Sequence, residues 1–287
     1  MNSLIENMQR LRSKRTHTEE ELLLIQSGGY VSPTEILFED VLTALSLNKP
    51  VLLKGPSGSG KTRLAQSISA LFQQPMQSVN CSVDLDAEAL LGFKTIVSKD
   101  GQSMIEFVDG PVVTAMKRGH ILYIDEINMA KPETLPILHS ILDHRRMLAN
   151  PFTGEVIMAH EDFSVISAIN EGYIGTTPMN EALKNRFISF SIPYLESEQL
   201  RSVLETAVPE AKSSAVDTIM KLSGDLTKQA ANGLLADEAA SVRSLINALQ
   251  LAVHMPMERA VNYAIAELLE DKMERDLVKE LTATWVK

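Results

Sequence analysis

The sequence predicts an α/β fold, a parallel five-stranded sheet flanked by helices, followed by an all-helical unit, and three observations predict it. First, Gly55-Pro56-Ser57-Gly58-Ser59-Gly60-Lys61-Thr62 fits G-x-x-x-x-G-K-[ST]. The apolar run Val51-Leu52-Leu53 precedes it, and Leu64, Ile68 and Leu71 follow at helical spacing, which is the strand–loop–helix setting such a loop requires. Second, short apolar runs at 51–53, 76–79, 121–124, 163–169 and 187–192 alternate with helical segments, the pattern of a parallel sheet covered on both faces. Third, after Pro193-Tyr194 the period becomes helical throughout, in Leu200, Val203, Leu204 and Ala207, again in Val242, Leu245, Ile246 and Leu249, and on from 257 to 286. Three divisions follow: an N-terminal helical extension over 1–27, an α/β core over 28–193 with hairpin insertions near 93–108 and 147–158, and a helical unit over 194–287.

Along the chain, residues 1–27 read as an exposed polar helix ended by Gly28-Gly29. Ser32-Pro33-Thr34-Glu35 reads as a capping box with proline at the first helical position, so a helix is expected to start there and run through Leu37, Val41, Leu42 and Leu45. The glycines at both ends of the 55–62 loop let successive N–H groups aim at phosphate oxygens, and the following helix adds its positive end. Lys61 would neutralise the β and γ phosphates and the Thr62 hydroxyl would hold Mg²⁺. A Gly/Ser-rich surface turn would match the same pattern, and the flanking strand and helix argue against it.

Between 93 and 108 two strand-like arms surround Asp100-Gly101, a hairpin signal. Its apolar Ile96 and Met104 would either grip a protein or pack within the domain. A second hairpin is expected around 148–156, with Pro151 and Gly154 in the turn. The run His120-Ile121-Leu122-Tyr123-Ile124-Asp125-Glu126 describes a buried strand whose acids emerge at its C-terminal edge, where ligands of α/β sheets bind. Asp125 would enter the Mg²⁺ shell and Glu126 would orient and deprotonate an attacking water. Standing alone, the two acids would read as caps of the next helix. Asn170 closes the strand at 163–169 and would bond the attacking water or γ-phosphate, or cap a turn. Arg145 and Arg146 follow a helical segment and read equally as intersubunit contacts or a solvated helix end.

With 287 residues, 45% of them hydrophobic, the chain is long enough for a substantial core. Its net charge of −10 argues against wrapping nucleic acid, which needs clustered cations. The single cysteine, Cys81, forms no intrachain disulfide and reads as a buried thiol in a reducing compartment. The six histidines show no metal-ligand spacing, and His139 and His144 read as surface residues. No stretch of 18 apolar residues occurs, so a cytoplasmic protein is expected.

The loop 55–62, the strand ending Asp125-Glu126, Asn170, the Asn185-Arg186-Phe187 step and Arg243 in Ser241-Val242-Arg243 stand in the order found in AAA+ ATPases. The chain resembles the MoxR family, in the branch of CbbQ, NirQ and NorQ proteins, through Leu90-Leu91-Gly92-Phe93, Asp109-Gly110-Pro111, Asp125-Glu126-Ile127-Asn128 and Asp143-His144-Arg145-Arg146, over roughly 30–250. Val242 stands where that family often has proline. The resemblance implies a P-loop AAA+ core, a helical lid, ATP with Mg²⁺, and a ring, expected to be a hexamer. Within it Asn170 would be sensor 1, Arg186 an arginine finger reaching a neighbouring subunit, and Arg243 a lid-borne sensor 2. It further implies that the 93–108 hairpin projects into the ring pore, that a von Willebrand factor A-domain protein is a partner, and that a protein client is remodelled or activated.

An ATP hydrolase with a protein client is therefore the leading expectation. A nucleic-acid-remodelling ATPase would need a basic pore, whereas the hairpin mixes Lys94, Lys99, Asp100 and Glu106. A nucleotide-dependent scaffold with little turnover is the other alternative. Gly29-Tyr30-Val31 is the expected contact for the base.

Overall fold

The computed structural model of the chain describes residues 3–34, 36–81, 85–99, 102–170, 179–195 and 197–286. Its elements before the second insertion are α1 (Ser3–Arg12), α2 (Glu19–Leu22), α3 (Leu37–Ser46), β1 (Val51–Gly55), α4 (Lys61–Phe72), β2 (Met76–Asn80), α5 (Ala87–Leu91), β3 (Gly92–Lys99), β4 (Gln102–Asp109), α6 (Pro111–Arg118), β5 (Ile121–Asp125) and α7 (Leu135–Leu142). Then come β6 (Met147–Ala149), β7 (Val156–Met158), β8 (Ser164–Asn170), α8 (Glu181–Lys184) and β9 (Ile188–Ser191). Five helices complete the chain: α9 (Ser197–Ala207), α10 (Ser213–Ala231), α11 (Val242–Ala252), α12 (Met257–Ala264) and α13 (Lys272–Trp285).

The main sheet has five parallel strands in the order β2-β5-β8-β1-β9, and each of the five apolar runs read from the sequence forms one of them. Their near-continuous apolar character follows from burial on both faces. Leu52, Leu122, Ile124 and Val165 pack on one face with α6 and α7, while Val51, Leu53, Ile121, Tyr123 and Ile166 pack on the other with α3 and α4. A separate hydrophobic core joins α9 to α13, centred on Leu204, Ile219, Leu245 and Leu249, and the described residues after 194 hold helices and no strand.

Two expectations about the N-terminus are corrected. The described residues 3–27 form two short helices, not one exposed helix, and α1 is docked: Ile5 is fully buried among the residues of α3 and α4. Arg12 is buried too, with its guanidinium over the Phe72 ring and bonded to Gln74, to the Asp162 carbonyl and to Ser164 Oγ. An arginine among polar neighbours reads as solvated in sequence, yet here its stem and plane cover apolar surface. The helix expected from Ser32-Pro33 starts instead at Leu37, and the Ser32 hydroxyl donates to the Thr34 carbonyl. Glu35, the other half of that capping box, lies outside the described residues, as does the Asp100-Gly101 turn.

Both insertions are antiparallel hairpins. In the first, β3 and β4 pair from Gly92↔Asp109 to Lys99↔Gln102, and Phe93, Ile96, Met104 and Ile105 are exposed. The second, β6 with β7, closes on Gly154 at φ +73°. The hairpins meet: Phe107 stacks on Phe152, and Lys117 bridges Asp109 of one and Glu155 beside the other at 3.1 and 2.9 Å.

Candidate functional site

Four strands end at one edge, and the register decides which residues stand together there. Gly55 at the end of β1 pairs with Asn170 at the end of β8, and Asn80 of β2 pairs with Asp125 of β5. This edge, the 55–62 loop, the last turns of α9 and the first turns of α11 enclose a cleft of about 850 Å³ between the α/β core and the helical unit. That lies within the ~300–1,000 Å³ usual for small-molecule sites. Ser57, Gly58, Ser59, Gly60, Lys61 and Thr62 line it; so do Asp125, Glu126, Asn170 and Arg243.

The loop's shape depends on its glycines. Gly58 and Gly60 have φ of +74° and +95°, values that side-chain-bearing residues rarely adopt. A Cβ on Gly55 would lie 2.2 Å from the Ile192 carbonyl oxygen, so only glycine lets the loop leave the sheet there. Lys61, buried at the start of α4, donates from Nζ to the carbonyls of Gly55 and Pro56 at 2.9 and 2.7 Å. The ammonium is thereby held along the loop's own path.

Thr62 Oγ1 lies 3.0 Å from the hydroxyl of Tyr123, a residue that sequence reasoning passed over. In a strand, residues two apart share a face, so Tyr123 and Asp125 both point toward α4, and that period was the available signal. Burial, and then the charge of Asp125, pushes the Tyr123 hydroxyl above its ordinary range, which keeps it neutral. Glu126 breaks from the strand at φ +51°, with its N–H bonded to Asp125 Oδ1 at 3.0 Å. A glutamate there is strained by about 1–3 kcal/mol. The kink brings Glu126 Oε1 to 3.4 Å from the Asn170 amide, so the strand-end acid and amide form a pair. Cys81 is buried beside this edge, its N–H bonded to the Asp125 carbonyl, and burial followed by the charges of Asp125 and Glu126 pushes its thiol up to about 12. An inert thiol results.

The far end of the cleft is apolar, with Val31, Leu195, Val203, Val242 and Ile246 beside the Tyr30 ring, which rests against Gly60. Burial pushes the Tyr30 hydroxyl up to about 12. Arg243 stands exposed on the first turn of α11, whose N-cap Ser241 accepts from Ser244 N–H at 3.1 Å. Tyr194, which had served only to mark the change of pattern, reaches the carbonyls of both Ser57 and Asp237.

Arg186 is not brought to this cleft. It is half-buried after α8, its guanidinium bonded to the Ala182 carbonyl, and it lies near His139, which burial and this cation hold below the usual histidine range. Arg145 and Arg146 also stand apart, and they differ. Arg145 is exposed and pairs with Asp143 at 2.9 Å, while Arg146 is half-buried against the Phe163 ring and bonds the His160 carbonyl, a structural use. Among the described residues no helix is long and apolar enough to cross a membrane.

Residues 50–187 match the family described as AAA domain (dynein-related subfamily). YojN of Bacillus subtilis (strain 168), described as an uncharacterized protein, is 54% identical over 261 residues, 91% of this chain and 86% of its own. SH1500 of Staphylococcus haemolyticus, described likewise, is 53% identical over 251 residues, 87% of this chain and 95% of its own. Among solved structures, NtrX from Brucella abortus in complex with ATP superposes with a TM-score of 0.56 at 17% identity, over 93% of this chain and 57% of that one. The same protein with ADP gives 0.55 over 90% and 56%. This chain thus spans little more than half of NtrX, and at such identity the likeness concerns the fold.

Proposed function

We infer that this chain, which belongs with YojN to a family built on an AAA domain of the dynein-related subfamily, is an ATP hydrolase that works as a ring and remodels a protein client. The observation that carries this reading is the convergence of Lys61, Thr62, Asp125, Glu126, Asn170 and Arg243 on one cleft.

The residues present fit a magnesium nucleotide. The turn is built on the positive φ of Gly58 and Gly60, a conformation that turns backbone N–H groups toward a bound anion, and the donor set beside it is a hydroxyl and a carboxylate, hard oxygen ligands. Thr62 and Asp125 would hold Mg²⁺, which would supply positive charge to offset the negative charge of the phosphates. Lys61 would turn its ammonium from the loop carbonyls to the β and γ phosphates. The Glu126 carboxylate would take a proton from the attacking water as its oxygen bonds to the γ-phosphorus and the bond to the bridging oxygen of the leaving ADP breaks. Asn170, already paired with Glu126, would orient that water. The apolar end with Tyr30 and Val31 would take the base.

Arg186 lies outside the lining of its own chain's cleft, which favours a role in completing a neighbour's site and so a ring, which the MoxR likeness would make a hexamer. The exposed Phe93, Ile96, Met104 and Ile105 on the first hairpin favour a protein client over nucleic acid, in keeping with the acidic net charge. The MoxR likeness would add a von Willebrand factor A-domain partner.

Glu126→Gln tests the reading. Hydrolysis is expected to fall by about 10²–10⁴-fold while ATP binding persists. Turnover that Glu126→Gln leaves unchanged, measured by phosphate release, would refute the assignment of the base and favour a scaffold.

A further inference from the structure

Tyr194 touches both bodies that border the cleft. It follows β9 by a short pinned segment: Ile192 N–H donates to the Lys54 carbonyl at 2.7 Å, Ile192 is fully buried, and Pro193 restricts the backbone. From this fixed base the Tyr194 hydroxyl lies 2.9 Å from the Ser57 carbonyl, in the phosphate loop, and 2.8 Å from the Asp237 carbonyl. Asp237 opens the 3₁₀ helix Asp237–Ala240, whose C-cap Ser241 is also the N-cap of α11, and Arg243 follows two residues on. Loop and helical unit touch again at the same place, since a Cβ on Gly58 would lie 2.7 Å from the Ser241 Cβ.

A phenol has one proton, and both of its neighbours here are carbonyls that only accept. Full satisfaction of one acceptor therefore weakens the bond to the other. Burial, and then the charges of Asp237 and Glu238, pushes the hydroxyl above its ordinary range, so it stays a donor at any working pH. A shift of the Ser57 carbonyl would release the proton to Asp237, and a shift of the 3₁₀ helix would return it.

We propose that Tyr194 is a positioning residue that ties the phosphate loop to the helical lid, so that a nucleoside triphosphate held by the loop sets the placement of the lid and of Arg243. The proposal rests on the ATPase reading and deepens it. It names the contact through which phosphate occupancy is converted into lid movement, a two-state element biased from one end.

The test uses the full chain with two exposed positions, Lys49→Cys in the core and Lys228→Cys on α10, carrying spin labels; Cys81 is buried and stays unlabelled. Distances are measured without nucleotide and with a non-hydrolysable ATP analogue, and affinity is read with a fluorescent ATP analogue. The parent chain should show a nucleotide-dependent change in distance. Tyr194→Phe should bind the fluorescent analogue within about threefold of the parent yet lose that change, with kcat lowered about tenfold and KM little altered. Asp237→Asn, which keeps the main-chain carbonyl, should behave as the parent. A distance change in Tyr194→Phe equal to the parent's would overturn the proposal, as would its loss in Asp237→Asn. Absence of analogue binding by the parent chain would overturn the nucleotide reading and this proposal with it, whereas binding without coupling isolates the failure to Tyr194. Should Tyr194→Phe fold poorly, hydrogen exchange on the parent chain decides: the analogue must slow exchange in 57–60 and 237–244 together, and slowing confined to the loop overturns the proposal.

Discussion

At the scale of single residues, the loop's chemistry depends on one cation and two backbone conformations. Lys61 Nζ is held by two carbonyls of its own loop, so Lys61→Ala removes the ammonium without opening a hydrophobic core. Nucleotide affinity is expected to drop by about 10²-fold or more, read by fluorescent analogue titration, with the melting temperature little changed. Gly58→Ala should behave differently. Its φ of +74° and the Ser241 Cβ 2.7 Å away mean that a methyl strains the loop and pushes the helical unit. A loss of about 1–3 kcal/mol in stability together with weakened binding is expected, measured by urea denaturation. The loop residues and the strand-end acids were legible because glycine spacing and an apolar run ending in carboxylates are local patterns. Tyr123 shares its strand face with Asp125, but its Thr62 partner lies 61 residues away, so the period gave its face and not its contact; Tyr194 had no such period, and its partner in the loop lies 137 residues away. The left-handed kink at Glu126 was equally hidden, since Asp125-Glu126 gives no composition signal for it.

At the scale of elements, strands were easier to read than helix ends. All five sheet strands announced themselves as buried apolar runs, because a strand covered on both faces has no polar side to confuse the pattern. The N-terminal segment was misread because its docking relies on polar and amphipathic groups. Arg12 anchors α1 through Gln74, Asp162 and Ser164, and burial holds its guanidinium down at about 10 despite the nearby Asp162. Arg12→Leu should leave those partners unpaired and lower stability by about 3–5 kcal/mol, visible as a large fall in the urea midpoint. The next strap, α2, is held by Glu21 against His120 at 3.0 Å and Arg118 at 3.2 Å. Burial would raise the Glu21 carboxyl, but bonds from the Thr18 N–H, His120 and Arg118 outweigh it and hold it at about 2. His120 is depressed by its own burial in spite of Glu21, and among the described residues its Nδ1 has no partner to receive a proton's N–H. A depressed folded pKa means stability present above the unfolded value, about 6.5 for histidine, and lost as pH falls below it. The urea midpoint should therefore decline from pH 7.5 to 5.5, and His120→Gln should flatten part of that slope.

At the scale of the whole molecule, the position of Arg186 bears on the proposal that one working site takes two chains. Its guanidinium bonds the Ala182 carbonyl and lies by His139, on a surface apart from the cleft that holds Glu126 and Arg243. On the proposed reading, a residue so placed would contribute to hydrolysis only if a second chain presented its cleft to it, and activity and assembly would then be one equilibrium. Arg186→Ala should keep ATP binding and lose about 10³-fold in turnover, the scale of an arginine supplied to a transferring phosphoryl group. A reduction in affinity alone would point instead to a local structural role. Mixing separates the two further. In rings assembled at random from equal amounts of Arg186→Ala and Glu126→Gln chains, about a quarter of the interfaces join an intact Glu126 to an intact Arg186. Phosphate release should then recover toward a quarter of the unmodified rate, although each variant alone is inactive. If Arg186 acts only within its own chain, every site in the mixture carries one of the two defects, and no recovery appears at any ratio.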